Sequence, residues 1–392
     1  MMKKWITCLL LLSSTSYVFG AELSQYAVNK AIKANQLAQD GKYSEAISLL
    51  KDNMPEREYD HAYFDRMLGV FYWQNGQMKP ALAALTQAVN SGQLVDDQAW
   101  STRRMLADLL LMNKEYKLAL PHYYELTKSL PKDQKGDDIW LRIGQTHYQL
   151  GEWQPVLKAM KKYEAYGLPD KTNPLSIKLG AQLQLEQWAA AIPTLKRLLV
   201  IEPDKKNWWM QLVSLEMREK KMKDALASLA LAKLQGISLE REDLRLLAQL
   251  YARNGVPERA AQVLGEIKGM DKKVDLLSEQ ATYWQRAKEW DKAIDTWQLA
   301  ARFNGKYHWN VALLLNQQGQ YSDALSELDK VTDPNRKAEV ALARTRALYK
   351  LNRLDHALEM ARTANTIEPS DEAKGWIKYL TQLKKIKKQR TS

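Results

Sequence analysis

Apolar residues along this chain recur at helical spacing and in one repeated arrangement. GKYSEAISLL from Gly41, KEWDKAIDTW from Lys288 and GQYSDALSEL from Gly319 each place a large side chain three residues before a small one. Apolar positions then continue every three or four residues, as in Ala293, Ile294, Trp297 and Ala300, which is the pattern of one buried helix face. Aligning the small residue gives ten units, at Ala46, Ala81, Ala119, Val156, Ala191, Ala225, Ala260, Ala293, Ala324 and Ala357. Successive gaps run from 31 to 38 residues and centre near 34, the period of a helix–turn–helix array.

Each unit has a physical logic. The large residue (Tyr43, Tyr116, Trp153, Trp188, Trp290 or Tyr321) opens a second helix and fills the space beside the first. The small residue marks the closest approach of the two helices, where bulk would force them apart. Gly41, Gly76, Gly151, Gly255 and Gly319 are expected in the tight turns, and Pro131, Pro203 and Pro369 where units end. Gly69 and Gly144 are expected to admit a neighbouring helix. Pro121 and Pro193 fall inside second helices and are expected to bend them. Leu179 and Gly180 stand one residue late in the fifth unit.

These phrases resemble the tetratricopeptide repeat family over nearly the whole chain. The fold class expected is all-α, a right-handed superhelical solenoid of about ten repeats over residues 21–369. A C-terminal capping helix and basic tail follow over 370–392, with Trp376, Ile377, Tyr379 and Leu380 facing inward. One unit cannot bury its own apolar face, so stability must come from stacking on neighbours.

The first residues, MMKKWITCLLLLSSTSYVFGAEL, change the picture of where the protein works. Lys3 and Lys4 precede a short apolar run, and Val18 and Gly20 suit cleavage before Ala21, so residues 1–20 are expected to be a signal peptide. Cys8, the single cysteine, lies ahead of most of the leucines and is badly placed for lipid attachment. The exported chain would hold no cysteine, no disulfide and no transmembrane span, and periplasmic localisation is expected. Loss of Lys3 and Lys4 lowers the formal charge from +12 to +10. That excess points to an anionic envelope surface or an acidic partner rather than to nucleic acid.

No residue set points to catalysis. His61, His122, His147, His308 and His356 stand in different units without metal-ligand spacing, and the glycines are isolated turn residues rather than a phosphate loop. No enzyme activity, cofactor or metal is expected. The thirteen tryptophans fall mostly on packing positions. Register instead places Arg66, Trp73, Arg104, Tyr148, Arg245, Gln249 and Trp309 on the surface of first helices, where a protein or peptide partner could lie. Half-buried packing accounts for the same residues equally well. Lys384, Lys385, Lys387 and Lys388 could touch an anionic surface or simply solvate the final helix. The lysine–asparagine clamp that some tetratricopeptide proteins use for C-terminal carboxylates is absent.

Several longer phrases, MLGVFYWQNGQ, LSIKLGAQLQLEQW, NWWMQLVSLE, DLRLLAQLYARNGVPERAAQVL, EQATYWQRAKEWDKA and GWIKYLTQL, resemble one branch of the family. That branch comprises periplasmic repeat proteins associated with TonB-type energy-transduction systems. The resemblance implies an adaptor beside a proton-driven complex that powers iron or haem uptake, and it supplies no binding residues. The alternative is a scaffold for cell-wall or outer-membrane assembly that contacts peptidoglycan through the basic tail.

Overall fold

The computed structural model of the protein describes residues 22–391, all in helices and short connections, with no strand among them. The expected leader over residues 1–20, with Cys8, lies outside the described residues. Contacts group the chain into two compact units, one ending at Ile201 and the other beginning at Glu202.

In the first unit, helices alternate as first and second members of hairpins. They are α1 Gln25–Gln39 with α2 Tyr43–Lys51, α3 Glu58–Gln74 with α4 Met78–Asn90, α5 Asp96–Met112 with α6 Tyr116–Leu126, α7 Asp137–Leu150 with α8 Trp153–Glu164, and α9 Thr172–Gln184 with α10 Trp188–Ile201. The second unit pairs α11 Lys206–Arg218 with α12 Met222–Leu234, α13 Arg241–Arg253 with α14 Pro257–Gly265, and α15 Val274–Arg286 with α16 Trp290–Phe303. It continues with α17 His308–Gln317 and α18 Tyr321–Leu328, then α19 Lys337–Lys350 and α20 Leu354–Ile367, and closes with α21 Asp371–Thr391. Within each unit every second helix packs on its own first helix and on the first helix that follows.

The phased small residue is the fourth residue of every second helix, and all ten are wholly buried at 0% exposure. That agreement explains the period: a hairpin closes only where both backbones can come near. The facing first-helix positions are correspondingly small. A Cβ on Gly69 would lie 2.4 Å from Leu85 Cγ, and one on Gly144 would lie 2.3 Å from Met160 Cε. In the fifth hairpin Leu179 takes this place, and Gly180 beside it makes room for the Tyr148 ring, 2.7 Å from where its Cβ would stand. Pro121 and Pro193 sit in helices that remain continuous. Both prolines are exposed, so the carbonyl that each leaves without an amide partner is on the side open to solvent.

The hairpin turns are more uniform than their sequences. Five residues before each small position the backbone is left-handed in all ten units. Glycine holds that place at Gly41, Gly76, Gly151, Gly255 and Gly319, with φ from 71° to 82°. Lys114, Glu186, Lys220, Lys288 and Asn352 hold it elsewhere, with φ from 55° to 64°. The next amide then donates to the carbonyl five residues back, for example Lys42 to Leu37 at 2.8 Å and Lys221 to Glu216 at 2.8 Å. This bond ends the first helix and satisfies one of its terminal carbonyls. The left-handed conformation costs a non-glycine residue about 1 kcal/mol. Lys220→Gly is therefore expected to stabilise the protein by up to about 0.5 kcal/mol, after allowing for glycine's larger unfolded-state entropy. Gly255→Ala, whose methyl would meet nothing within 4 Å, should cost about 1 kcal/mol through conformation alone. Urea midpoints of the two variants test both signs.

Helix α21 closes the second unit. Ala373 and Leu380 are fully buried, and Trp376 and Ile377 are half-buried against α19 and α20. Tyr379 departs from the inward placement expected of it: it is 45% exposed, and its hydroxyl pairs with that of Tyr349 at 2.8 Å.

Candidate partner-binding surface

The first helices of successive hairpins present comparable positions at each repeat, and ion pairs bridge them. In the first unit Arg104 lies over the Trp100 ring at 5.4 Å and pairs with Asp108 at 3.9 Å and with Asp138 of the next first helix. Arg142 reaches back to Asp108 at 3.7 Å. Asp108 also accepts the Tyr123 hydroxyl at 2.6 Å, and burial together with this carboxylate pushes the Tyr123 phenol far above its ordinary range. In the second unit Arg245 bonds Glu279 at 2.8 Å and approaches Asp275 at 3.5 Å. Gln249 donates to the same Glu279 at 3.3 Å, and Tyr283 donates to it at 2.8 Å. Lys206 pairs with Asp243 at 2.8 Å one repeat further on.

Arg104, Arg245 and Gln249 therefore tie consecutive repeats together, and each already has protein partners. The remaining candidates are placed differently. Arg66 lies over Tyr63 at 5.9 Å, and Trp73 is half-buried against the core of α4 to α9. Tyr148 stands edge-on to Trp153 at 5.2 Å. Trp309 is half-buried beneath Arg336 at 5.3 Å. Every described tryptophan is buried or half-buried, as packing residues should be. In the tail, Lys384 pairs with Asp355 and holds that carboxyl below its usual range, while Lys387 donates to Asn352 at 2.9 Å. Lys385 is exposed, and the side chain of Lys388 lies outside the described set.

Other charge clusters serve packing. Burial opposes ionisation of Glu164, but hydrogen bonds from Lys178 at 2.8 Å and Arg197 at 2.6 Å outweigh it and hold the carboxyl below its usual range. His147 is buried between Glu152 at 2.6 Å and the Tyr124 hydroxyl at 2.7 Å, and His308 pairs with Glu327 at 2.6 Å. Burial, helped by Arg103, pushes His122 down. Among the described residues no three His, Cys, Asp or Glu side chains converge as a metal site requires, and no helix is long and apolar enough to cross a membrane.

Two hollows lie on the first-helix surface of the first unit. One, of about 380 Å3, is lined by Leu111, Tyr116, Gln145, Tyr148, Gln149, Asn173 and Ile177. The other, of about 310 Å3, adjoins it across Gln145 and Asn173 and holds Asp137, Asp138, Arg142 and Lys171. Only Tyr148 of the first hollow was marked by register. Leu111 shares the repeat position of Trp73 and Tyr148, and Gln145 that of Gln249, so following those positions through every unit would have found both.

No protein-family model matches the chain, and no curated protein matches it either. Solved structures similar to it include a tetratricopeptide repeat protein from Parabacteroides merdae (16% identity, 65% of this chain and 99% of that one, TM-score 0.38). The C-terminal part of a repeat-containing protein from Cytophaga hutchinsonii shares 15% identity over 70% of this chain and 95% of its own, with a TM-score of 0.39. The Cut9–Hcn1 hetero-tetramer of APC/C shares 14% over 90% and 83%, with a TM-score of 0.29. Likenesses this distant add nothing to what the chain's own geometry establishes. Ten helical hairpins near a 34-residue period, each closed on a wholly buried small residue and, within each unit, stacked on the next, make the described residues an all-α helical-hairpin repeat array.

Proposed function

We propose that the protein is a non-catalytic periplasmic scaffold that holds a protein partner against its first helices, as an accessory of a TonB-type energy-transduction system for iron or haem uptake. The observation that carries the scaffold reading is the bridging of successive first helices by Arg104–Asp138 and Arg245–Glu279, each across 34 residues. Such ties fix the spacing of side chains from repeat to repeat, and a surface set in advance loses less entropy when a partner binds. The export signal and the phrases quoted above support the periplasmic and TonB-type part. The peptidoglycan alternative relies on the basic tail, where Lys384 and Lys387 already have partners within the chain, so the adaptor is preferred.

A photo-crosslinking residue placed at Gln249 or Trp73 in intact cells tests this reading. The expected result is capture of a TonB-type protein, its motor partners or the periplasmic segment of a receptor, together with poor siderophore use in a deletion strain lacking redundant systems. Normal iron acquisition in that strain, with no captured protein, contradicts it.

A further inference from the structure

Asparagine followed by glycine occurs three times in the chain, at Asn75–Gly76, Asn254–Gly255 and Asn304–Gly305. Glycine has no side chain to shield its own amide nitrogen, so that nitrogen is unusually free to attack the preceding asparagine Cγ. The first two pairs stand at hairpin turns, where the closing hydrogen bonds lock them. Gly76 N–H donates to the Trp73 carbonyl at 3.0 Å, and Gly255 N–H to that of Ala252 at 3.3 Å. Both asparagines are half-buried with their side-chain amides engaged, Asn75 on Ser44 Oγ at 3.4 Å and Asn254 on the Leu250 carbonyl at 2.8 Å. The third pair differs on each count. Asn304 and Gly305 connect α16 to the one-turn helix Gly305–Tyr307 ahead of α17, and both are exposed. Asn304 is extended, with φ −147° and ψ 108°. Among the described residues neither the Gly305 N–H nor Asn304 Nδ2 has a hydrogen-bond acceptor. Asn304 Oδ1, by contrast, accepts from the Lys306 amide at 3.2 Å, which turns the side chain back over the Gly305 peptide.

We propose that Asn304–Gly305 is a site of spontaneous covalent modification, where Asn304 closes to a succinimide and reopens as isoaspartate or aspartate. The co-reactants are hydroxide and water alone. Hydroxide takes the Gly305 amide proton, and the nitrogen attacks Asn304 Cγ to form the N–C bond of a five-membered ring. Negative charge gathers on Oδ1, where the Lys306 N–H already donates and stabilises it. The Cγ–Nδ2 bond then breaks, and Nδ2 takes a proton from water and leaves as ammonia, which returns the hydroxide. Water next adds to either ring carbonyl. Opening at the side-chain carbonyl leaves aspartate, and opening at the main-chain carbonyl leaves isoaspartate, whose backbone is longer by the Cβ atom. That extra atom falls between Trp297 and Tyr307, whose rings pack at 5.1 Å across the junction of α16 and α17. It also lies just ahead of His308, which pairs with Glu327 at 2.6 Å. Isoaspartate is expected to loosen this hairpin junction. Aspartate keeps a side-chain oxygen for the Lys306 amide and is expected to leave it intact.

Incubating the folded full chain in water carrying heavy oxygen, at neutral and at alkaline pH, tests the site by peptide mass spectrometry. The peptide holding residue 304 should take up the label, become a substrate for isoaspartyl methyltransferase and react faster at alkaline pH. It should convert at least about tenfold faster than Asn75 or Asn254, since opening either of those sites breaks at least two hydrogen bonds. In urea the three sites should react at similar rates, because the protection of the other two comes from folding. Gly305→Ala, whose methyl would meet nothing nearer than His308 Cδ2 at 3.9 Å, should keep the thermal melt and slow conversion markedly. Asn304→Asp should melt as the fresh protein does, whereas aged protein rich in isoaspartate should melt lower. Conversion at residue 304 no faster than at Asn75 and Asn254 in the folded chain overturns the assignment, as does an undiminished rate in Gly305→Ala. An unchanged melt after full conversion to isoaspartate overturns the loosening of the hairpin junction.

Discussion

Tyr123→Ala is expected to be among the most damaging single changes in the first unit, costing about 3–5 kcal/mol. Tyr123 is wholly buried on α6, and its ring belongs to the core shared by α4 to α9. Truncation leaves a ring-sized void between close-packed helices that cannot fully collapse. It also removes the hydroxyl that donates to Asp108 at 2.6 Å, and Asp108 is the carboxylate that joins Arg104 to Arg142. Tyr123→Phe separates the two contributions: it keeps the ring and should cost about 1–2 kcal/mol, the usual range for a hydrogen bond to a charged group. Denaturant midpoints of the two variants check the ordering. Equal losses would mean that packing around the ring contributes little.

Enlarging the phased small residue should come next. Ala225→Leu is expected to destabilise the second unit by about 1–3 kcal/mol, because extra methylenes at a fully buried hairpin contact force off-rotamer side chains and backbone shifts. Ala227, two residues along the same helix, is exposed, so Ala227→Leu should change stability by less than about 0.5 kcal/mol. A thermal melt of the pair isolates position from composition, since both variants carry the same substitution on one helix.

Much of the fold was legible because one physical constraint repeats. Close approach demands a small residue, the demand recurs near every 34 residues, and the eye finds it in three almost identical phrases. The turns were half legible. Glycine marks only five of ten left-handed positions, and Lys114, Glu186, Lys220, Lys288 and Asn352 adopt the same backbone under the closing hydrogen bond. Looking for glycine misses them, whereas counting back from the small residue finds all ten. The first-helix arginines were legible by position and not by role. Arg104 and Arg245 lie on first helices, but their carboxylate partners Asp138 and Glu279 lie one repeat away. A pairing at that separation becomes visible only after the period is known. The hollow was least legible, because it draws Leu111, Gln145 and Asn173 from three consecutive first helices, and two of them carry polar amides that no apolar pattern marks.

The central claim is that this chain is built in interchangeable hairpin periods phased on a buried small residue. Excising residues 226–260, which joins Ala225 to Ala261 and removes one whole period, tests it most directly against excision of residues 226–242, which breaks the phase. The account predicts that the first product keeps its ellipticity per residue and melts cooperatively, while the second loses helix and aggregates. Loss of helicity in both products alike, or its retention in both, would contradict it.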